Sequence, residues 1–123
     1  MLFELSVIPL VGDVHLSEEL AEVLAVVHAS GLPYELGPTS TCIEGEWDRV
    51  MPTLQACHQA ARRHTTHVIT LIKVEDDAGE RNKIRTNVES VERKVGRNLE
   101  RVAEDAAPVA APITGGAAEP SSR

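Results

Sequence analysis

A chain of 123 residues, 42% apolar but only 2% aromatic, can bury one core built from Val, Leu, Ile and Ala and is too short for two ordinary domains. A formal net charge of −7 and a pI near 5.2 argue against nucleic acid as a partner. Phosphate binding needs a positive footprint, and here the basic residues never gather beyond pairs such as Arg62–Arg63. Cys42 and Cys57 are too few for a disulfide framework, and no apolar stretch approaches the ~20 residues that cross a bilayer, so the expectation is a cytoplasmic protein without a membrane partner.

The first element is a strand. Phe3, Leu5 and Val7 alternate with Glu4, Ser6 and Ile8, and Pro9 ends the run. The opening lacks a basic segment and a small-residue cleavage site, and Glu4 interrupts its apolar run, so it does not read as a signal peptide. Ser17 is placed to cap a helix that has Glu18 and Glu19 in its first turn, where the dipole favours negative charge. Leu20, Val23, Leu24 and Val27 form its apolar stripe, and Gly31 its stop. Pro33–Leu36 and Ser40–Glu44 read as short strands joined at Gly37–Pro38.

A second helix starts near Trp47 and carries Trp47, Val50, Met51, Leu54, His58 and Ala61 at helical spacing. Pro52 must then lie in its first two turns or kink it. His67–Val74 is the strongest strand by β-branched content, and both of its faces look buried. Ile84, Val88, Val91, Val95, Leu99 and Val102 recur at intervals of 4, 3, 4, 4 and 3, the narrow stripe of a long helix. From about residue 106 to 123 the chain is rich in Ala, Pro and Gly and reads as a disordered tail, leaving residues 1–105 as the domain.

The order β-α-β-β-α-β plus a C-terminal helix is that of a ferredoxin-like α+β fold, with helices on one face of an antiparallel sheet. Phe3, Leu5 and Val7 should face those helices, which leaves the other sheet face open and largely apolar. A second copy of the chain is the expected cover, giving a homodimer or homotetramer, unless the last helix folds back over its own sheet.

The segments ELSVIPL, TCIEGEWDRVM, HVITLIKV and NVESVERK, in this order and spacing, resemble the small thiamine-binding proteins over roughly residues 2–100. The resemblance implies a ferredoxin-like fold, dimers or tetramers, and binding of thiamine or its hydroxymethylpyrimidine portion as a ligand at a subunit interface, with no cofactor and no catalysis. Ser6 and Thr41 could then read the pyrimidine edge, Glu44 or Glu4 could balance the thiazolium charge, and Trp47 or Tyr34 could stack on the ring. Each has a plainer role too. Thr41 is a good strand residue, Glu44 could open the second helix, Trp47 heads an apolar stripe, and Glu4 and Ser6 could be subunit contacts.

Other chemistries have less behind them. His58, His64 and His67 with Cys57 lack metal-ligand spacing, neither cysteine has an evident activating partner, and no glycine-rich phosphate loop is present. An enzyme acting on a small molecule at the same interface, or a structural interaction module whose sheet face serves assembly, are the competing expectations.

Overall fold

The computed structural model describes residues 1–10 and 16–100. Seven elements follow one another: β1 (Leu2–Pro9), α1 (Leu16–Ala29), β2 (Tyr34–Leu36), β3 (Thr41–Glu44), α2 (Trp47–Arg62), β4 (Val68–Glu75) and α3 (Lys83–Val95). The sheet order is β2-β3-β1-β4 with every neighbouring pair antiparallel. Each of the two strand–helix–strand units therefore encloses a strand of the other, which is the ferredoxin-like arrangement expected from the sequence.

Period-2 alternation decides which face is buried. Phe3 and Leu5 point into the helix layer and join Val23, Val27, Ile43, Val50 and Leu54 in the core. Small residues let the two helices approach: Cys57, Ala60 and Ala61 of α2 are buried, and the Cys57 thiol donates to the Val23 carbonyl of α1 at 3.7 Å. Burial pushes that thiol up to about 11, so it stays protonated and inert. His58 is half-buried, its Nδ1 2.7 Å from the Thr70 hydroxyl, the plain helix role its position suggested. Pro52 is the sixth residue of α2, within its second turn.

Three expectations need correction. Helix α1 already includes Leu16, so Ser17 lies inside its first turn rather than at the cap. Helix α3 ends at Val95, not near Val102. Gly96 adopts a left-handed conformation (φ 77°) and returns its N–H to the Glu92 carbonyl, while the Leu99 N–H is taken by the Glu92 carboxylate at 2.9 Å. Val102 and the tail from 106 lie outside the described residues. Strand β4 is not buried on both faces of the single chain: it is an edge strand partnered only by β1, and Ile69 and Leu71 are 42% and 57% exposed.

The start of α3 is pinned on the face opposite α1 and α2. Glu44 and Glu75 both sit across from Leu2 in the register, so their side chains share its face, away from Phe3. Glu44 Oε1 accepts the Ile84 backbone N–H, Glu75 accepts from the Asn87 amide at 3.0 Å, and Lys83 Nζ reaches Glu75 at 3.1 Å and Asp77 at 2.8 Å. Val88, Val91 and Val95 nonetheless stay exposed, as does Ile8 on the same side of the sheet.

Candidate functional site

Unequal strand lengths open a notch in the sheet. β4 pairs with β1 along all of Leu2–Pro9, whereas β3 pairs only with Leu2–Leu5. Beyond Leu5, the backbone of Ser6–Pro9 is paired on one side alone, and the chain that would have continued β3 turns away through Gly37–Ser40, closed by the Gly37 N–H on the Ser40 carbonyl at 2.8 Å. The result is a cleft of about 420 Å³ walled by this turn, the free edge of β1 and the first turns of α1. It falls within the size range of small-molecule sites.

Its lining is apolar with a few directed polar groups. Leu20, Leu36, Pro38 and Leu71 supply the walls, and Ser6, Thr39, Ser40 and Thr41 supply hydroxyls. The Ser6 hydroxyl donates to the Thr39 carbonyl at 3.4 Å, a long contact that a better acceptor could displace. Glu19 is the only charged residue among those lining the cleft. It is only 9% exposed, and its Oε2 is buried with no hydrogen-bond partner among the described residues. A buried carboxylate oxygen without a donor is costly and uncommon.

The sequence-predicted residues divide by position. Ser6 and Thr41 both line the cleft, from opposite faces of the sheet: Thr41 sits across from Leu5 on the helix side, and Ser6 shares the other face with Glu4. Glu4 lies on the same sheet face as Ser6 but faces Lys73 across the strand at 3.7 Å. Glu44 is occupied at the far end of the sheet by the start of α3. Tyr34 holds His28 through its hydroxyl at 3.0 Å, with the rings edge to face. Trp47 is 48% exposed and packs on Phe3 with ring centroids 5.7 Å apart. None of the three aromatics lines the cleft, so a flat ring there would lie between aliphatic side chains.

Glu19 was legible only as a residue suited to the helix dipole. The spacing Glu19–Val23–Val27 carried the further signal, because steps of four keep one helix face, here the buried one.

A second cavity of about 510 Å³ lies at the opposite end of the sheet, between the loop after β4 and the start of α2. Of the charged residues in its lining, Glu44, Asp77 and Lys83 are engaged in holding the start of α3, and Glu46, Arg49, Asp76, Glu80 and Arg81, of both signs, line the rest. Among the described residues no group of three or more His, Cys, Asp or Glu side chains could hold a metal ion.

A ferredoxin-like α+β domain with an apolar edge cleft and one unpaired carboxylate defines the structural class. The chain belongs to the thiamine-binding protein family, whose model matches residues 3–92. It is 33% identical over 60 residues to a UPF0045 protein of Synechocystis sp., a match covering 49% of this chain and spanning about half (50%) of that relative. Among solved structures, a hypothetical protein of Methanocaldococcus jannascii superimposes with a TM-score of 0.68 at 20% identity, covering 73% of this chain and 93% of the other. A Bacillus cereus domain of unknown function gives 0.62 at 25% identity, covering 68% and 84%. A Thermotoga maritima protein described as a candidate thiamine biosynthesis/salvage protein gives 0.60 at 22% identity, covering 77% and 94%.

Proposed function

We propose that this protein binds thiamine or its hydroxymethylpyrimidine portion in the cleft beside Ser6–Pro9, without catalysing a reaction on it. The observation that carries this reading is the cleft's composition: aliphatic walls, four hydroxyl residues and one buried carboxylate with an oxygen that no described residue pairs, in a chain of the thiamine-binding family. Hydroxyls can donate to ring nitrogens or accept from an amine, and a negative cleft suits the thiazolium cation. The non-enzymatic reading is supported by the lining itself. Among the described residues it contains no His, Lys, Cys or Asp, so no imidazole, thiol, amine or second carboxylate accompanies Glu19 there.

The same reading places the cleft at a subunit boundary. Leu71 and Ile8 line it and also belong to the exposed apolar sheet face, so a second copy laid on that face would roof one side of the ligand. Ile69→Glu, which lies on the face but outside the cleft lining, is expected to shift the protein to monomer in sedimentation and to weaken ligand binding with it.

Calorimetric titration with thiamine, hydroxymethylpyrimidine and thiamine diphosphate in parallel tests the proposal. Saturable binding of thiamine or the pyrimidine is expected. The diphosphate should bind least, since among the described residues no Lys, Arg or His lines the cleft to receive it. Absence of heat with all three, together with an unchanged melting temperature at millimolar ligand, would remove the proposal, because any ligand that binds only the folded state must raise stability.

A further inference from the structure

Glu19 is where the cleft can discriminate between ligands. It is nine-tenths buried in the first turns of α1, beside Leu20 and Val23, and the described residues give its Oε2 no donor. The other polar side chains lining the cleft among the described residues are hydroxyls, which can turn to donate or accept as the ligand requires. An ionised carboxylate cannot adapt in that way: it accepts only. A ligand presenting an N–H at that point removes a standing desolvation cost. One presenting C–H leaves the cost in place, and one presenting a carbonyl or phosphate oxygen adds repulsion to it. Sites that hold a buried polar group in wait for a partner reject analogues lacking that partner far more strongly than apolar pockets reject a missing methylene.

Resting on the proposed thiamine-type ligand, we infer that Glu19 is the specificity-determining acceptor of the cleft and takes its hydrogen bond from the exocyclic 4-amino group of the pyrimidine. That amine is the one N–H donor on thiamine's unprotonated pyrimidine ring, whose ring nitrogens are acceptors and suit Ser6, Ser40 or Thr41. The ligand class is therefore the 4-aminopyrimidines. The 4-oxo and 4-deamino pyrimidines of the same shape are excluded, although they would fill the same volume and meet the same walls.

The test compares thiamine, 4′-deaminothiamine and oxythiamine on the full chain, in the parent protein and in Glu19→Leu. Leucine replaces a buried unpaired charge by an apolar group of similar size, so the variant is expected to fold and to melt no lower than the parent, which a thermal scan checks. In the parent, thiamine should bind about thirtyfold or more tighter than the deamino analogue, the size set by losing a hydrogen bond to a charged group, and oxythiamine should be weaker still. In Glu19→Leu the affinities of thiamine and the deamino analogue should converge to within about threefold, with most of the change in thiamine's. Thiamine binding with no preference over the deamino analogue in the parent, or with the preference intact in Glu19→Leu, overturns the role of Glu19 and leaves the binding function standing. No binding of thiamine to the parent overturns both.

Discussion

The two ends of the sheet treat carboxylates in opposite ways. At the end where β1 starts, Glu44, Glu75 and Asp77 are all matched, to the Ile84 N–H, to Asn87 and Lys83, and to Lys83 respectively, and the outcome is a helix held in place. At the end where β1 runs on past β3, Glu19 is more deeply buried than any of them and has an oxygen without a partner among the described residues. Matched charges at one end secure structure, and the unmatched one at the other leaves room for a ligand. Burial alone would not separate the two. Lys83 is as buried as Glu19, at 9% exposed, yet it is committed twice over. What would distinguish the proposed binding residue is the bond that the described residues leave unmade.

That contrast can be broken from the structural end first. Gly45 follows Glu44, and a Cβ there would come within 2.8 Å of Val50 Cγ2 and 3.2 Å of Leu32 Cδ2, in the packed core. Gly45→Ala should cost about 1–3 kcal/mol in a denaturant melt, as overpacking does. If the two ends are independent, thiamine affinity at a temperature where the variant is folded should stay within about twofold of the parent, since distant sites add. A smaller, more local change is Glu44→Ala. It removes the acceptor for the Ile84 N–H, and the expected loss is about 1 kcal/mol, the usual worth of a side chain that satisfies a helix's first amides. Faster amide exchange confined to α3, with unaltered thiamine binding, is the expected pattern. A large loss of thiamine affinity would instead return Glu44 to the site and remove the division drawn here.

Much of the fold was legible in the sequence because its signals are local. The alternation at Phe3, Leu5 and Val7, the β-branched run His67–Val74 and the stripe Val50–Leu54–Ala61 each announce an element, and four strands with two intervening helices leave few ways to close. The errors arose where a single residue overrides a pattern. Gly96 stops α3 although the apolar spacing runs on to Leu99 and Val102, because a left-handed turn ends the hydrogen-bond ladder whatever the stripe does. The site was less legible. Ser6 and Thr41 could be named as hydroxyls on adjacent strands, but the cleft they share exists only because β3 stops four residues short of the end of β1's ladder, and strand registers are not written in either strand alone. Trp47, Tyr34 and Glu44 drew notice by residue type, and each has a partner elsewhere in the fold that its own neighbours in sequence did not reveal.

The smallest predicted effect is the most selective for the structural end. Hydrogen bonds from Lys83 and then Asn87 hold the Glu75 carboxyl below its ordinary value of 4.5, against the opposing effect of burial. Bonds to Asp77 and then Glu75 push the Lys83 ammonium above its ordinary 10.5. A carboxyl whose folded pKa is depressed contributes stability that is present above 4.5 and is lost as pH falls through the folded value. A lysine whose folded pKa is raised contributes stability present below 10.5 and lost as pH climbs through the folded value. The tether of α3 should therefore be intact across the neutral range and loosen at both extremes, with the acid step lying below 4.5. In an NMR titration the Asn87 side-chain amide should report that step together with the Glu75 carboxyl carbon. Lys83→Met, which removes the bond that depresses Glu75 most, should move the step up toward 4.5. Glu19→Leu should leave it where it was, because that residue belongs to the other end of the sheet. A Glu75 that titrates at or above 4.5 in the parent protein would mean that α3 is not held by these charges, and that the structural end is no better matched than the cleft.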